Sequence, residues 1–187
     1  LMDAQSSIRI IGGKWRSRKV GFITKESLRP TPDRVRETLF NWLAPHILGA
    51  TCLDLYAGSA VLGFEALSRG AKSVSAIEKD RQNYQQILQN SETLQADGLE
   101  AINKDVLDWL QEPKFVADLV FVDPPYKQDI LFTTLDLLEA NTWVGINSLI
   151  YFEQDKPLEQ ALLPANWSVW RESKAGKVFY YLAVKER

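Results

Sequence analysis

Residues 119–126 read Leu119-Val120-Phe121-Val122-Asp123-Pro124-Pro125-Tyr126. The first four form a short apolar run bounded by turn residues, the pattern of a fully buried strand. An acid, two rigid imino acids and an aromatic ring then stand at that strand's carboxyl end, where open α/β sheets bind their ligands. Prolines fix φ and contribute no backbone N–H. Bare carbonyls are therefore left as acceptors beside a carboxylate, with a ring close by. Such a turn suits a flat group carrying an amine, and a nucleobase fits that description.

Outward from this stretch, strand and helix patterns alternate from residue 51 onward, which predicts a mostly parallel sheet with helices on both faces. Strands are expected at 51–56, 73–77, near Ala101-Ile102, at 117–122 and at 148–152. Helices are expected at 58–69, 80–94, 106–110 and 130–139. The tail, 168–172 and 178–184, reads as a hairpin around Ala175-Gly176, placing an antiparallel strand beside the parallel ones. The fold class is thus α/β and Rossmann-like, organised as an N-terminal arm and lid helix (1–50) on a domain spanning 51–187, one compact unit overall.

The first of these strands ends in Asp54-Leu55-Tyr56-Ala57-Gly58-Ser59-Ala60-Val61-Leu62-Gly63. Glu78 closes the next strand, twenty residues after Gly58, where a carboxylate can accept both ribose hydroxyls. Asp105 follows the third strand, within reach of an adenine amine. Together these describe an adenosine-containing cofactor across the sheet's switch point. The loop reads Gly-x-Ala-x-x-Gly, so the middle glycine that admits a pyrophosphate is missing. Asp54 would also oppose phosphates. A cationic cofactor without phosphates, S-adenosylmethionine, fits an acidic pocket better than a dinucleotide does. Each acid taken singly is a helix cap or a surface carboxylate; four at consecutive strand ends are more than coincidence.

The net charge of −2 conceals an asymmetry. Residues 8–36 hold nine basic side chains against two acidic ones, a net of +7, so a basic arm sits on an acidic body. That asymmetry points to a polyanionic partner. Trp15 and Phe22 interleave with the charges, as in surfaces that stack bases and hold phosphates. The arm itself, Ile8 to Ile23, reads as an exposed hairpin or extended arm around the Gly12-Gly13 turn signal and a basic stretch. In the segment after it, Thr31 is the expected N-cap of a helix with Pro32 at its first position. Composition is ordinary for a soluble chain, and no apolar run approaches the roughly 20 residues of a membrane span. Residues 1–13 lack a signal peptide's basic start and apolar stretch, so a cytoplasmic protein is expected. One cysteine, Cys52, reads as buried and inert. One histidine, His46, reads as a surface or helix-end residue, and no metal site is expected. Trp109, Trp143, Trp167 and Trp170 read as packing residues.

The chain resembles the bacterial RsmD family of class I S-adenosylmethionine-dependent methyltransferases. The resemblance rests on Arg9-Ile10-Ile11-Gly12-Gly13-Lys14-Trp15-Arg16, on Arg29-Pro30-Thr31 with Arg36-Glu37-Thr38-Leu39-Phe40-Asn41-Trp42-Leu43, on Leu53 to Ser59, and on Asp123-Pro124-Pro125-Tyr126. The last motif is shared with DNA adenine methyltransferases and fixes chemistry more than substrate. The resemblance implies methylation of the exocyclic N2 of a guanine in small-subunit ribosomal RNA, within an assembling subunit. It implies that Asp54, Gly58, Glu78 and Asp105 surround the cofactor, with Tyr56, Ala57, Lys79 and Thr31 completing the set. It implies that Asp123 and Tyr126 hold the base, with Pro124 offering its carbonyl, and that Arg9, Lys14, Trp15, Arg16 and Arg18 meet RNA. Ala60 departs from the family's usual glycine, and its methyl group is expected to tighten the cofactor loop. Alternatives are a DNA-adenine or other amino-methyltransferase, a nicotinamide-dependent oxidoreductase, and a non-catalytic RNA-binding module.

Overall fold

A computed structural model describes residues 5–24, 30–125 and 128–187. The chain opens with an antiparallel hairpin, β1 (Gln5–Arg9) and β2 (Lys19–Ile23), followed by α1 (Asp33–Leu43). Strand and helix then alternate through β3 (Thr51–Leu55), α2 (Val61–Ser68), β4 (Ser73–Ile77), α3 (Arg81–Leu94), β5 (Leu99–Ile102), α4 (Val106–Trp109), β6 (Ala117–Val122), α5 (Gln128–Ala140) and β7 (Val144–Gln154). A short 3-10 turn, Gln160–Leu162, leads to the closing hairpin of β8 (Trp167–Ala175) and β9 (Val178–Lys185).

Seven strands form one sheet in the order β5-β4-β3-β6-β7-β9-β8. β3 to β7 run parallel, while β9 and β8 are antiparallel, as the sequence pattern implies. The chain winds outward from β3 to β5 and then returns to lay β6 against the free side of β3. That reversal opens a crevice above the carboxyl ends of β3 and β6.

Period-two alternation explains how both faces are filled. Cys52, Leu119, Phe121, Leu149, Tyr151, Tyr180 and Leu182 point to one face, where α1, α2 and α3 pack. Leu53, Leu55, Val120, Val122, Ile150, Phe152, Tyr181 and Ala183 point to the other, under α4 and α5. Trp109, Trp143 and Trp167 are buried there, with Trp109 stacked on Trp143 at 4.7 Å between ring centroids. Cys52 is fully buried, and desolvation pushes its thiol up to about 12.

Strand β7 is longer than the apolar run 148–152. Its register against β6 shifts between Ala117 and Leu119, and Asn147 adopts φ 71°. Ser148 holds the irregularity, donating to the Ala117 carbonyl at 2.6 Å and accepting from the Gly145 amide at 2.9 Å. At its other end β7 continues past Phe152 because Glu153 and Gln154 pair with Tyr180 and Phe179 of β9.

The N-terminal hairpin is docked, not free. Glu65 of α2, fully buried, accepts the Ile11 and Gly12 amides at 2.9 and 3.1 Å. The same carboxylate pairs with Arg36 of α1 and Arg69, both at 3.2 Å. Arg36 is also fully buried, and donates onward to the Arg9 carbonyl at 3.0 Å and the Thr31 carbonyl at 3.1 Å. Ser68 accepts the Trp15 amide and donates to the Gly12 carbonyl. Gly13 tolerates no side chain here: it has φ +81°, and a Cβ would lie 1.9 Å from the Ser68 carbonyl oxygen. From α3, the Asn90 side-chain amide pairs with both backbone groups of Gly21, imitating a strand partner.

Thr31 does not cap α1. Pro32 occupies the cap position, with φ −58°, ψ 152° and no side-chain hydrogen bond. Thr31 lies one residue too early to reach the first helical amides, and its hydroxyl meets Glu153 instead.

Removing one partner of a buried ion pair leaves the other uncompensated, which costs about 3–5 kcal/mol. Glu65→Ala is therefore expected to lower Tm by roughly 6–20 °C in a chain of this size. Calorimetry on the variant checks this, and a Tm within 2 °C or so of the unaltered protein contradicts the clamp.

Candidate functional site

The crevice at the switch point is built by register. Asp54 pairs with Phe121 and Leu55 with Val122, so Asp123 stands on the same face as Asp54 but two residues further along, on the adjacent parallel strand. Both line a narrow cleft that is partly open to solvent. Tyr56, Ala57, Gly58, Ser59, Val61 and Leu62 form its floor, while Phe22 and Ile23 of β2 with Pro30 and Thr31 form its wall.

Asp54 is buried, and its Oδ2 accepts the Gly63 amide at 3.0 Å. Gly63 must be glycine, because a Cβ there would lie 2.9 Å from Val74 and 3.1 Å from that same carboxylate. Asp54 thus fixes the start of α2 beneath the loop. Burial, with the Glu78 charge adding, pushes Asp54 up to about 8 against the pull of the Gly63 amide. Asp123 is raised well above the ordinary carboxylate value, first by burial and then by Glu153 and Asp54. Glu153 is itself raised by burial, although the Tyr151 hydroxyl donates to it at 2.6 Å. Asp123 therefore lies between two further carboxylates, Asp54 in the cleft and Glu153 behind it, and among the described residues no Lys, Arg or His lines the cleft. Such a cluster favours a positively charged ligand over a phosphate-bearing one.

Glu78 braces the loop from β4: Oε1 accepts the Gly58 amide at 2.9 Å and Oε2 the Asp80 amide at 3.0 Å. The Lys79 amide bonds to it as well, and Glu78 is buried behind the loop without bordering the cleft itself. Tyr56 bonds through its hydroxyl to Thr134 at 2.8 Å. Ala60 takes φ 59°, ψ 27°, a left-handed conformation that costs an alanine about 1 kcal/mol relative to glycine. Its methyl group is buried in the core and does not border the cleft, so it does not narrow the cofactor loop directly.

Lys79 is exposed, with its carbonyl held by Asn103. Asp105 caps α4, accepting the Asp108 amide at 3.2 Å, and lines a neighbouring shallow depression with Lys104 and Trp109. Neither borders the cleft itself. Tyr126 and Arg29 lie outside the described residues.

On the hairpin, Arg9, Lys14, Arg16 and Arg18 are exposed. Arg18 donates to the Thr93 carbonyl at 3.0 Å, and the Lys14 ammonium sits 4.6 Å from the Trp15 ring centroid. The Trp15 ring is 7% exposed and packs into the core, so it offers no face for a base to stack on. Three buried or half-buried polar residues escaped sequence reasoning, two at or beside the site and one in the hairpin clamp. Glu153 looked like the loop after a finished strand, and Arg36 looked like part of the basic surface. Asn83 of α3 lines the cleft from a helix that pattern alone marks only as polar.

Comparison with known proteins accords with this geometry. The family model described as "Conserved hypothetical protein 95" matches residues 8–184. The ribosomal RNA small subunit methyltransferase D of Escherichia coli strain K12 is 48% identical over 184 residues, covering 98% of this chain and 93% of its own. That of Haemophilus influenzae is 45% identical over 186 residues, covering 96% and 95%. The chain belongs to the RsmD family. The solved structure of the E. coli protein yhhF, described as a candidate methyltransferase, superposes with a TM-score of 0.86 at 44% identity, over 97% of this chain and 99% of that one. The fold is the Rossmann-like class I methyltransferase fold that the family shares.

A carboxyl whose folded value is raised keeps its proton after the unfolded chain has lost it. Its contribution to stability is complete below about pH 4 and is lost as pH rises toward about 8. The ligand-free protein is therefore expected to lose stability across that window. Asp54→Asn, which cannot ionise, should make the decline shallower by up to about 1.4 kcal/mol per pH unit. Denaturant unfolding at several pH values measures both slopes, and identical slopes would refute the assignment.

Proposed function

We propose that this chain transfers a methyl group from S-adenosylmethionine to the exocyclic N2 amine of a guanine in small-subunit ribosomal RNA, in the cytoplasm and on an assembling subunit. One observation carries the reading. The Asp123-Pro124-Pro125 turn stands beside Asp54 at the switch point, in an acidic cleft among whose described lining residues there is no cation. The relatives named as ribosomal RNA small subunit methyltransferase D support the substrate class.

Bound S-adenosylmethionine supplies a methyl group already activated on a sulfonium, so neither a metal nor a covalent nucleophile is needed. Asp54, Asp123 and Glu153 match its positive groups. The glycine loop lies against it, with Glu78 beneath. A cation in the cleft offsets the crowding of acids and draws Asp123 into its ionised, accepting form. The nitrogen of an exocyclic amine is a poor nucleophile because its lone pair is delocalised into the ring. Asp123 and the Pro124 carbonyl accept its two hydrogens and turn the lone pair toward the donor. The backbone there offers only acceptors, because neither proline carries an N–H. Asp123 is also placed to take the departing proton. Tyr126 supplies the stacking face for a base drawn out of its helix. Arg9, Lys14, Arg16 and Arg18 bind phosphates from the exposed side of the hairpin.

Asp123→Ala should lower methyl transfer to unmodified small subunits by about 100-fold or more, the scale of losing one preorganised group at the reacting atom. Cofactor affinity should fall by much less than the rate, because Asp54 remains in the cleft to face the donor's positive groups. A variant retaining most of its rate excludes this role, and analysis of the product nucleoside tests guanine N2 directly. Arg16→Ala combined with Arg18→Ala should weaken RNA binding and flatten the dependence of log affinity on log salt by about one to two units. Unchanged binding by the double variant would move the RNA surface elsewhere.

A further inference from the structure

Asn83 sits in the first turn of α3, where its backbone amide is already held by Asp80 at 2.9 Å. Its side chain is 4% exposed and borders the cleft that Asp54, Asp123 and Gly58 line. Its Nδ2 has no hydrogen-bond partner. A buried amide donor left unpaired costs about 1–3 kcal/mol. Nothing else about the position calls for that cost, since an apolar side chain would serve a helix packed under β2. The donor's place on the cleft wall says that its partner is the occupant.

We propose that Asn83 holds the amino-acid carboxylate of the cofactor, an assignment that rests on the S-adenosylmethionine reading. The chemistry of the cleft selects that group. The occupant's sulfonium and ammonium have Asp54, Asp123 and Glu153 to face. Its carboxylate is repelled by the same three acids and needs donors. Those already committed cannot supply them: the Gly58 amide is bonded to Glu78, and the Thr31 hydroxyl is directed at Glu153. Among the described side chains lining the cleft the Ser59 hydroxyl is a further donor, but only Asn83 is buried there with an NH2 left unpaired. Being neutral, it meets a carboxylate without weakening the acidic field that attracts the cationic end.

The test compares two probes that share the nucleoside and differ in the amino-acid portion: S-adenosylhomocysteine, and 5′-methylthioadenosine, which has no carboxylate. Isothermal titration is run on the unaltered protein, Asn83→Leu and Asn83→Asp. Loss of a hydrogen bond to a charged group predicts about a 10- to 100-fold weaker affinity of Asn83→Leu for S-adenosylhomocysteine. Asn83→Asp, which keeps the size and replaces the donor with a repelling oxygen, should lose at least as much. Both variants should bind 5′-methylthioadenosine as the unaltered protein does, which also shows that they are folded. Equal loss for both probes, or no loss for either, overturns the assignment of Asn83 while leaving the cofactor reading standing. Failure of the unaltered protein to bind S-adenosylhomocysteine overturns the cofactor reading and this assignment with it.

Discussion

Two parallel strands in fixed register force Asp54 and Asp123 into one crevice, and the rest of the molecule is arranged around that unfavourable meeting of like charges. Among the described residues neither acid has a basic partner, and β7 adds a third carboxylate, Glu153, level with Asp123. Burial and mutual repulsion hold all three toward their neutral forms. A site so built is destabilising when empty at neutral pH and relaxes around a cation. The chemistry proposed here needs that bias, because the group delivering the methyl is positively charged until transfer and neutral afterwards. The same field that welcomes the donor is then indifferent to the sulfur of the product.

A second buried electrostatic feature has the opposite character. Glu65 and Arg36 are as deeply buried as Asp54, yet every direction around them is occupied by an opposite charge or a backbone donor or acceptor. That pair joins three elements distant in sequence: the hairpin turn, α1 and α2. It converts a basic arm into a fixed wall. Satisfied burial serves architecture in one place and unsatisfied burial serves chemistry in the other, and the contrast separates the two roles among the buried acids of one face.

The sequence made the sheet legible because its strands are short apolar runs cut off by Gly, Pro and Asp. Ser73–Ile77 and Ala117–Val122 end where their punctuation falls. It failed where pairing, not local pattern, decides. β7 extends to Gln154 because β9 supplies hydrogen-bond partners, and no run of residues announces that. For the same reason Glu153 was invisible as a member of the acid cluster. Arg36 carries the same charge as Arg34 two residues away, and only the fold distinguishes the buried cation from the exposed one. Trp15 misled in the reverse sense: aromatic residues among lysines and arginines suggest a stacking surface, but Ser68 fixes its amide and the core takes its ring. Asp123 and Asp54 were legible because strand ends are positions that topology alone makes functional.

The hairpin connects these threads. Its turn carries Lys14, Arg16 and Arg18 into solvent, while Phe22 and Ile23, further along the same strand pair, form a wall of the cleft. A polyanion held at the turn and a small molecule held in the cleft therefore touch opposite ends of one element. Glu65, Ser68 and Asn90 fix that element at its turn and along β2, so it has little freedom to pivot between the two ligands. On the function proposed above, binding at the turn would set the position of a base relative to the Asp123 turn through a rigid lever. A 1 Å misplacement at the reacting atoms can cost about 100-fold in rate. A clamp with no contact to either ligand is, on this geometry, a determinant of catalysis as much as of folding.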